Sequence, residues 1–217
     1  WRNHRVQRFT QSGSFVQAWG ALGSLPGDFN YPVGIASDTN GLLYVTDSGN
    51  DRIEVFTPDG QLVEIWGSTG SGPGQFLLPY GIAVEATGTI LIADRGNGRI
   101  QRLTAHGLPL LSCGTTGSGP GQMQDPHGLA LDLAGNIYVA DALNHRVQKF
   151  APNGTLLTAW GEEGTAPGQF RSPTGLAVGD DGVVFVADRW NNRVQVFGTP
   201  PTAATNSPMG GVRRRYR

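Results

Sequence analysis

The chain has 217 residues, of which 33 are Gly and 14 are Pro, and its formal net charge is −1 with 15% charged residues. Gly is about twice as frequent as the ordinary ~7%, and because Gly destabilises helix interiors this composition excludes long helices, bundles and coiled coils. The 38% of apolar residues suffices for a core, while no apolar run approaches the ~18 residues of a membrane-spanning helix. The composition therefore predicts an all-β protein made of short strands and many turns.

Basic and acidic residues are unevenly distributed along the chain. Four of the 16 basic residues are Arg213, Arg214, Arg215 and Arg217, in a final stretch without acidic residues. The remainder carries 12 basic and 17 acidic residues, so it has no overall attraction to nucleic acid and DNA binding is not expected. The single cysteine cannot form an internal disulfide bond. No signal peptide is visible, but the chain starts at Trp1, so we expect a truncated N-terminus and leave the compartment undecided, an extracytoplasmic one included.

A repeat of 47 residues runs through the chain without insertions. A fixed period of roughly 20 to 50 residues is typical of solenoids, propellers and other repeat architectures. The positions that keep this spacing are Pro32, Pro79, Pro126 and Pro173; Gly34, Gly81, Gly128 and Gly175; Asp47, Asp94, Asp141 and Asp188; and Arg5, Arg52, Arg99, Arg146 and Arg193. The equal spacing indicates that every unit occupies an equivalent place in the fold.

Each unit contains four predicted strands. In one unit they are 128–132, 137–141, 146–150 and 155–160. Apolar and polar side chains alternate in 128–132 and 146–150, and the intervening turns contain Gly, Asn and Pro at positions typical of tight turns. A four-stranded antiparallel unit cannot bury both faces alone, so the units must stack, and radial stacking predicts a β-propeller.

In chain order, the predicted propeller occupies residues 1–197, and 198–217 form a flexible tail rich in Pro and Thr and then in Arg. The repeat divides the propeller into a partial blade 1–33, complete blades 34–80, 81–127 and 128–174, and a partial blade 175–197. About four blades are therefore present. The expected arrangements are an open arc of a larger propeller, a ring completed by missing blades or another chain, and a small closed ring. We favour the open arc, whose unpaired edges would promote self-association.

The order of the motifs resembles the NHL repeat. In the last repeat the motifs are Pro167-Gly-Gln-Phe170, Pro173-Thr-Gly-Leu-Ala177, Phe185-Val-Ala-Asp188 and Asn191-Asn-Arg-Val-Gln195. The resemblance covers residues 1–197 and implies a propeller, usually of six blades. The roles known in this family include RNA or protein binding by tripartite-motif proteins, ligand sensing by a bacterial receptor kinase, and lyase chemistry in a peptide-amidating enzyme. The fold alone does not select among them.

The repeated Asp and Arg residues are interpreted as structural. Identical residues in every blade suit an architectural role better than a single active site, and breaking one member of a buried pair typically costs ~3–5 kcal/mol. The expected pairs are Asp47 with Arg52, Asp94 with Arg99, Asp141 with Arg146, and Asp188 with Arg193.

The residue before each repeated Gly differs from blade to blade. These residues are Val33, Tyr80, His127 and Thr174. In a propeller this position begins the innermost strand, so we expect the four to line the central mouth, where ligands often bind. A catalytic zinc needs about three protein ligands, and only one of the four is a histidine. The sequence therefore predicts no metal site, no cofactor and no catalytic residue.

The loop after each repeated Asp also varies. Its cationic and aromatic members, the predicted rim residues, are Trp1, Arg2, Arg95, Arg189 and Trp190. Trp and Arg are common anchors of protein-binding hot spots, and they can also stack on and hold single-stranded RNA.

These features predict a non-catalytic binding scaffold that uses the rim loops and the central mouth to bind a protein, peptide or small ligand. A protein or peptide is the favoured partner. One alternative is a propeller enzyme, a lyase or hydrolase, with its active site in the central channel around Tyr80 and His127. A second alternative is binding of single-stranded RNA on the rim, which the excess of acidic residues before the tail disfavours.

Overall fold

The structure is a computed structural model, and it describes residues 3–198. Trp1, Arg2 and all but the first residue of the predicted tail lie outside the described residues. The described part is built from short strands joined by turns, and it contains no α-helix.

The strands form a series of antiparallel sheets in chain order. The first sheet has two strands, the next three have four each, and the last has three. The strands are β1 (Val6–Phe9) and β2 (Phe15–Trp19); β3 (Pro32–Ser37), β4 (Leu43–Asp47), β5 (Arg52–Phe56) and β6 (Leu62–Trp66); β7 (Pro79–Val84), β8 (Ile90–Asp94), β9 (Arg99–Leu103) and β10 (Pro109–Cys113); β11 (Thr115–Thr116) and β12 (Gln122–Met123); β13 (Pro126–Leu131), β14 (Ile137–Asp141), β15 (Arg146–Phe150) and β16 (Leu156–Trp160); and β17 (Pro173–Val178), β18 (Val184–Asp188) and β19 (Arg193–Phe197).

The two shortest strands, β11 and β12, pair in parallel within the connector between two blades. In each repeat a three-residue 3-10 turn joins the second strand to the third. These turns are Ser48–Asn50, Arg95–Asn97, Ala142–Asn144 and Arg189–Asn191. The fold is thus an all-β propeller of four-stranded antiparallel blades, and this prediction from the 47-residue repeat is confirmed.

The core lies between neighbouring blades. One cluster joins Tyr44, Ile53 and Trp66 of one sheet to Phe76 and Ile90 at the next. Because a sheet in the middle of the series is covered on both faces by its neighbours, both sets of alternating side chains along its second strand are buried, as in β8 and β14. Stacking of the blades therefore supplies the core that one blade could not form alone.

Glycine allows the innermost strands of adjacent blades to approach closely. These strands pack in one series, β3 with β7, β7 with β13, and β13 with β17. A Cβ atom on Gly81 would overlap the carbonyl oxygen of His127, and one on Gly128 would overlap that of Thr174. Only a residue without a side chain fits this crossing. The close approach brings the starts of the four inner strands around one opening.

The two ends of the series expose apolar side chains that are buried elsewhere in the repeat. Phe185 and Val194, in the last sheet, are 42% and 62% exposed, whereas Tyr44 and Ile53 at the same repeat positions are fully buried. At the other end, Ile35 is 53% exposed and its repeat equivalent Ile82 is buried. The exposed faces are those that a neighbouring blade covers in the middle of the series.

Candidate functional site

A buried aspartate at the end of each second strand organises one end of the propeller. Asp94, which is fully buried, accepts hydrogen bonds from the backbone N–H of Leu77 at 2.8 Å, from Nδ2 of Asn97 at 2.9 Å and from Nε of Arg99 at 2.7 Å. Nδ2 of Asn97 also donates to the carbonyl of Gly70 in the preceding connector. The aspartate thereby ties its own turn to the segment that leads into the blade.

The arginine of each pair extends the same network. Nη1 and Nη2 of Arg99 donate to the carbonyl oxygens of Ser71, Gly72 and Gln75. The structure places all four predicted Asp–Arg pairs in contact, with Nε to Oδ2 distances of 2.7–2.8 Å: Asp47–Arg52, Asp94–Arg99, Asp141–Arg146 and Asp188–Arg193. These contacts hold connectors in place and leave the variable side chains to form the surface.

The predicted mouth residues line one cavity of about 460 Å³ at the centre of the propeller, the central cavity. Its walls are Val33, Tyr80, His127 and Thr174, the glycines that follow them, and Arg189. The volume is within the range of ~300–1,000 Å³ that small-molecule sites occupy. Because each blade contributes a chemically different side chain at an equivalent position, the cavity is asymmetric despite the regular repeat.

Four side chains from two adjacent blades form a cluster at this cavity. Nε2 of His127 lies 3.1 Å from Oδ2 of Asp125, and Nε of Arg95 donates to Oδ1 of the same carboxylate. The Arg95 guanidinium also stacks on the Tyr80 ring, 4.9 Å from its centroid. The Tyr80 and His127 rings are 4.5 Å apart. We call these four residues the mouth cluster.

The charges in the mouth cluster shift the pKa of Asp125. Burial alone would raise this pKa, but the hydrogen bonds from His127 and Arg95 and their charges outweigh burial and hold it below its usual value. Asp125 is therefore ionised at neutral pH and can orient both partners.

Asp125 shares its backbone conformation with its repeat equivalents but differs from them in one contact. Asp125 has φ +60°, and its repeat equivalents Tyr31, Leu78 and Ser172 have φ of +50° to +53°. Each of these three donates its N–H to a side chain 27 residues earlier in the chain, namely His4, Asp51 or His145. The residue 27 positions before Asp125 is Gly98, which has no side chain. Asp125 therefore lacks the side-chain acceptor that its three described equivalents have.

The predicted rim residues occupy two kinds of place. Arg189 lines the central cavity, and its guanidinium stacks on Trp190 at 5.0 Å from the ring centroid. Trp190 is 64% exposed. Arg95 belongs to the mouth cluster, while Trp1 and Arg2 are outside the described residues. The structure thus joins the described part of the rim to the central mouth in one continuous surface.

A protein-family comparison matches this arrangement of repeats. The model described as NHL repeat matches residues 29–56, 76–103, 123–150 and 170–197. The chain belongs to the NHL repeat family. Each matched NHL segment runs from the end of a connector to the third strand of the blade that follows. The resemblance that the motifs suggested is therefore confirmed.

Solved structures similar to this NHL-repeat chain are propellers of diverse function. Streptogramin B lyase has 18% identity and a TM-score of 0.60 over 83% of this chain and 58% of its own. A catalytically inactive virginiamycin B lyase from Staphylococcus aureus with quinupristin has 16% identity and a TM-score of 0.63 over 92% and 64%. A nidogen/laminin complex has 21% identity and a TM-score of 0.65 over 88% and 66%. The chain thus spans about three fifths of the two lyases, and the likeness concerns the fold. The comparison with curated proteins found no match.

Asp125 is the member of the mouth cluster that the sequence reasoning missed. A signal was present, because Asp125 is the only acidic residue in its register of the NHL repeats, where the others are Tyr31, Leu78 and Ser172. Its relation to Arg95, thirty positions earlier, depends on the packing of two blades and is not visible in either repeat alone.

Other sources of chemistry are limited in the described part of the NHL propeller. Within residues 3–198 no group of three or more His, Cys, Asp or Glu side chains is placed to hold a metal ion. Cys113 is buried, and burial raises the pKa of its thiol to about 11, so the thiol stays protonated at neutral pH. No helix among the described residues has the length and apolar character needed to cross a bilayer.

Proposed function

We propose that this NHL-repeat chain is a non-catalytic binding scaffold whose ligand contacts the central mouth and the rim around it. The observation that carries the proposal is the mouth cluster. Its residues Tyr80, Arg95, Asp125 and His127 depart from the repeat at three different positions, yet they lie in contact beside the central cavity. Variable side chains on a constant framework are typical of binding surfaces.

A protein or peptide is the partner that the rim favours. Trp190 is exposed and stacked against Arg189, and these two residue types are enriched among the anchors of protein interfaces. The adjoining central cavity has room for a side chain or chain terminus inserted from the partner. The nidogen/laminin complex among the similar structures is consistent with protein binding by this fold.

Selection from a displayed random-peptide library tests this proposal. Selected peptides are expected to bind the wild-type chain and to bind an Arg95→Ala/Trp190→Ala variant about tenfold more weakly or worse. Leu133→Ala is the control, because Leu133 is exposed in the β13–β14 turn at the opposite end of the blade. If the double variant binds every selected peptide as wild type does, the mouth and rim are not the binding surface.

RNA is a competing ligand for the same rim, and salt separates it from a peptide. The test measures the affinity of a labelled single-stranded RNA at several salt concentrations. If this affinity falls steeply with salt and depends on Arg95 and Trp190, RNA is the ligand of the rim and the peptide proposal is wrong. Under our proposal this RNA binds weakly and without dependence on those residues.

An enzyme is the second candidate, and one contact favours it. Nε2 of His127 and Oδ2 of Asp125 are 3.1 Å apart, which is the arrangement of a general base and the carboxylate that orients it. The similarity to lyases makes quinupristin a reasonable first probe. Turnover detected by mass spectrometry and abolished by His127→Ala would establish the enzyme and overturn the non-catalytic scaffold. Our proposal expects the probe to remain intact.

A further inference from the structure

The two arginines near the central mouth differ in their partners. Arg95, which stacks on the cavity-lining Tyr80 ring, is paired with Asp125, and Asp125 also contacts His127. Arg189 lines the central cavity and forms no ion pair with any residue in the range 3–198. Arg189 is therefore a guanidinium at the cavity wall without an ion-pair partner among these residues.

Both guanidinium groups are held in place by contacts that leave donors available. Arg95 uses Nε for Asp125 and its flat face for Tyr80, while Arg189 uses its flat face for Trp190. Neither arginine donates a terminal N–H to a described residue. Arginine presents its terminal N–H groups as a rigid planar fork, and stacking reduces the entropy lost when a ligand binds.

The central cavity has an apolar and aromatic part besides the polar side chains of His127 and Thr174. Val33, the Tyr80 ring and the backbone of the repeated glycines Gly34 and Gly81 line the same cavity. A site of this kind combines an orienting charge with a surface for an apolar group.

We propose that the central mouth recognises the carboxylate of its ligand, with Arg189 as the partner of the carboxylate and with Val33 and Tyr80 against the adjoining apolar group. This inference rests on the binding function proposed above. A carboxylate carries a single negative charge, which matches the one unpaired guanidinium of Arg189, whereas a phosphate monoester carries roughly −1.5 to −2 at pH 7. The carboxylate can belong to the C-terminus of a peptide or to a small carboxylic acid.

Matched acids and amides test the inference on the whole chain. Peptides selected from a library displayed with a free C-terminus are synthesised as the free acid and as the C-terminal amide, and phenylacetate is compared with phenylacetamide. The free acid is expected to bind at least about tenfold more tightly than the amide, because the amide cannot form the charge-assisted hydrogen bond with Arg189. Arg189→Gln should abolish this preference. Arg8→Gln removes the same charge from an exposed strand remote from the cavity and should retain it.

The two sources and the two proposals give different outcomes. A preference confined to the peptides identifies a chain terminus, and one confined to phenylacetate identifies a small carboxylic acid. Equal binding of acid and amide, or a preference that persists in Arg189→Gln, overturns the carboxylate inference. If the Arg95→Ala/Trp190→Ala variant still weakens peptide binding in that case, the scaffold proposal stands. In the opposite case, phenylacetate alone shows the Arg189-dependent preference and no peptide binds. That result rejects a peptide as the partner and supports recognition of a small carboxylic acid at the central mouth.

Discussion

Oε1 of Glu54 lies 2.8 Å from Nη2 of Arg52, while the second carboxylate oxygen of Glu54 is buried without a hydrogen-bond partner among the described residues. The next three repeats have Gln101, Gln148 and Gln195 at this position. Nε2 of Gln101 donates to the carbonyl of Gln75 and to Oδ2 of Asp94. An ionised Glu54 has no proton for the equivalent acceptors, so its unprotonated form is poorly suited to the site.

This arrangement makes Glu54 a source of pH-dependent stability. Burial raises the pKa of Glu54 from 4.5 to about 7, against the opposing charge of Arg52. Between these values the folded chain keeps a proton that the unfolded chain releases, so the free energy of unfolding decreases as the pH rises through this window. Glu54→Gln is expected to remove this dependence and to stabilise the chain at pH 8 by about 1–3 kcal/mol.

Urea denaturation of wild type and Glu54→Gln at pH 5 and pH 8 checks this prediction. The reverse substitution, Gln101→Glu, is a matched control that should destabilise the next blade more at pH 8 than at pH 5. Equal stabilities of wild type and Glu54→Gln at pH 8 would show that Glu54 is satisfied when ionised.

Removal of a buried aspartate is expected to destabilise the propeller strongly. Asp94→Ala leaves Arg99, Asn97 and the N–H of Leu77 without their shared acceptor. The expected loss is about 3–5 kcal/mol in the free energy of unfolding. Asp180→Ala, at an exposed turn position, should change stability by no more than about 0.5 kcal/mol. Similar small losses for both variants in urea titrations would contradict the structural interpretation of the Asp–Arg pairs.

Equivalent glycines in different blades are expected to tolerate alanine differently. A Cβ atom on Gly81 would overlap the carbonyl oxygen of His127, whereas one on Gly175 would have the Cβ atom of Ala187 as its nearest neighbour, at 3.4 Å. Gly81→Ala should therefore cost about 2 kcal/mol or more, because two inner strands must separate. Gly175→Ala should be within about 0.5 kcal/mol of wild type. Thermal unfolding of both variants measures this difference. Equal losses of stability would mean that the inner strands can move apart enough to accommodate the Cβ atom.

The exposed face of the last sheet is expected to cause self-association. Val194 is 62% exposed, and its repeat equivalents Ile53, Ile100 and Val147 are fully buried. Val194→Glu should reduce concentration-dependent association in sedimentation velocity, since a charge on an apolar face disfavours contact between chains. Val63→Glu, at a 47% exposed position in β6, is the control and should have little effect. A wild-type chain that sediments as a monomer at every concentration would contradict this prediction.

The blade structure could be predicted from sequence because its determinants are local. Alternation in segments such as 146–150, and turns containing Gly135 or Gly154, set the strands within one repeat. The 47-residue spacing then shows that the same unit recurs, and stacking follows from the apolar residues that one blade cannot bury. The register of Val33, Tyr80, His127 and Thr174 also pointed to one opening, and these four line the central cavity.

The sequence by itself determined the order and content of the blades, because hydrogen bonding within a blade depends on nearby residues. Only the tertiary structure decided that Arg95 meets Asp125 and that Tyr80 meets His127, since each pair joins two neighbouring sheets. The tertiary structure also decided the role of Glu54. This residue stands where the next three repeats have glutamine, a conservative difference in sequence, but one of its carboxylate oxygens is buried without a hydrogen-bond partner among the described residues. Contacts between sheets depend on which side chains the stacking brings together, and one sheet with its turns contains only half of each pair.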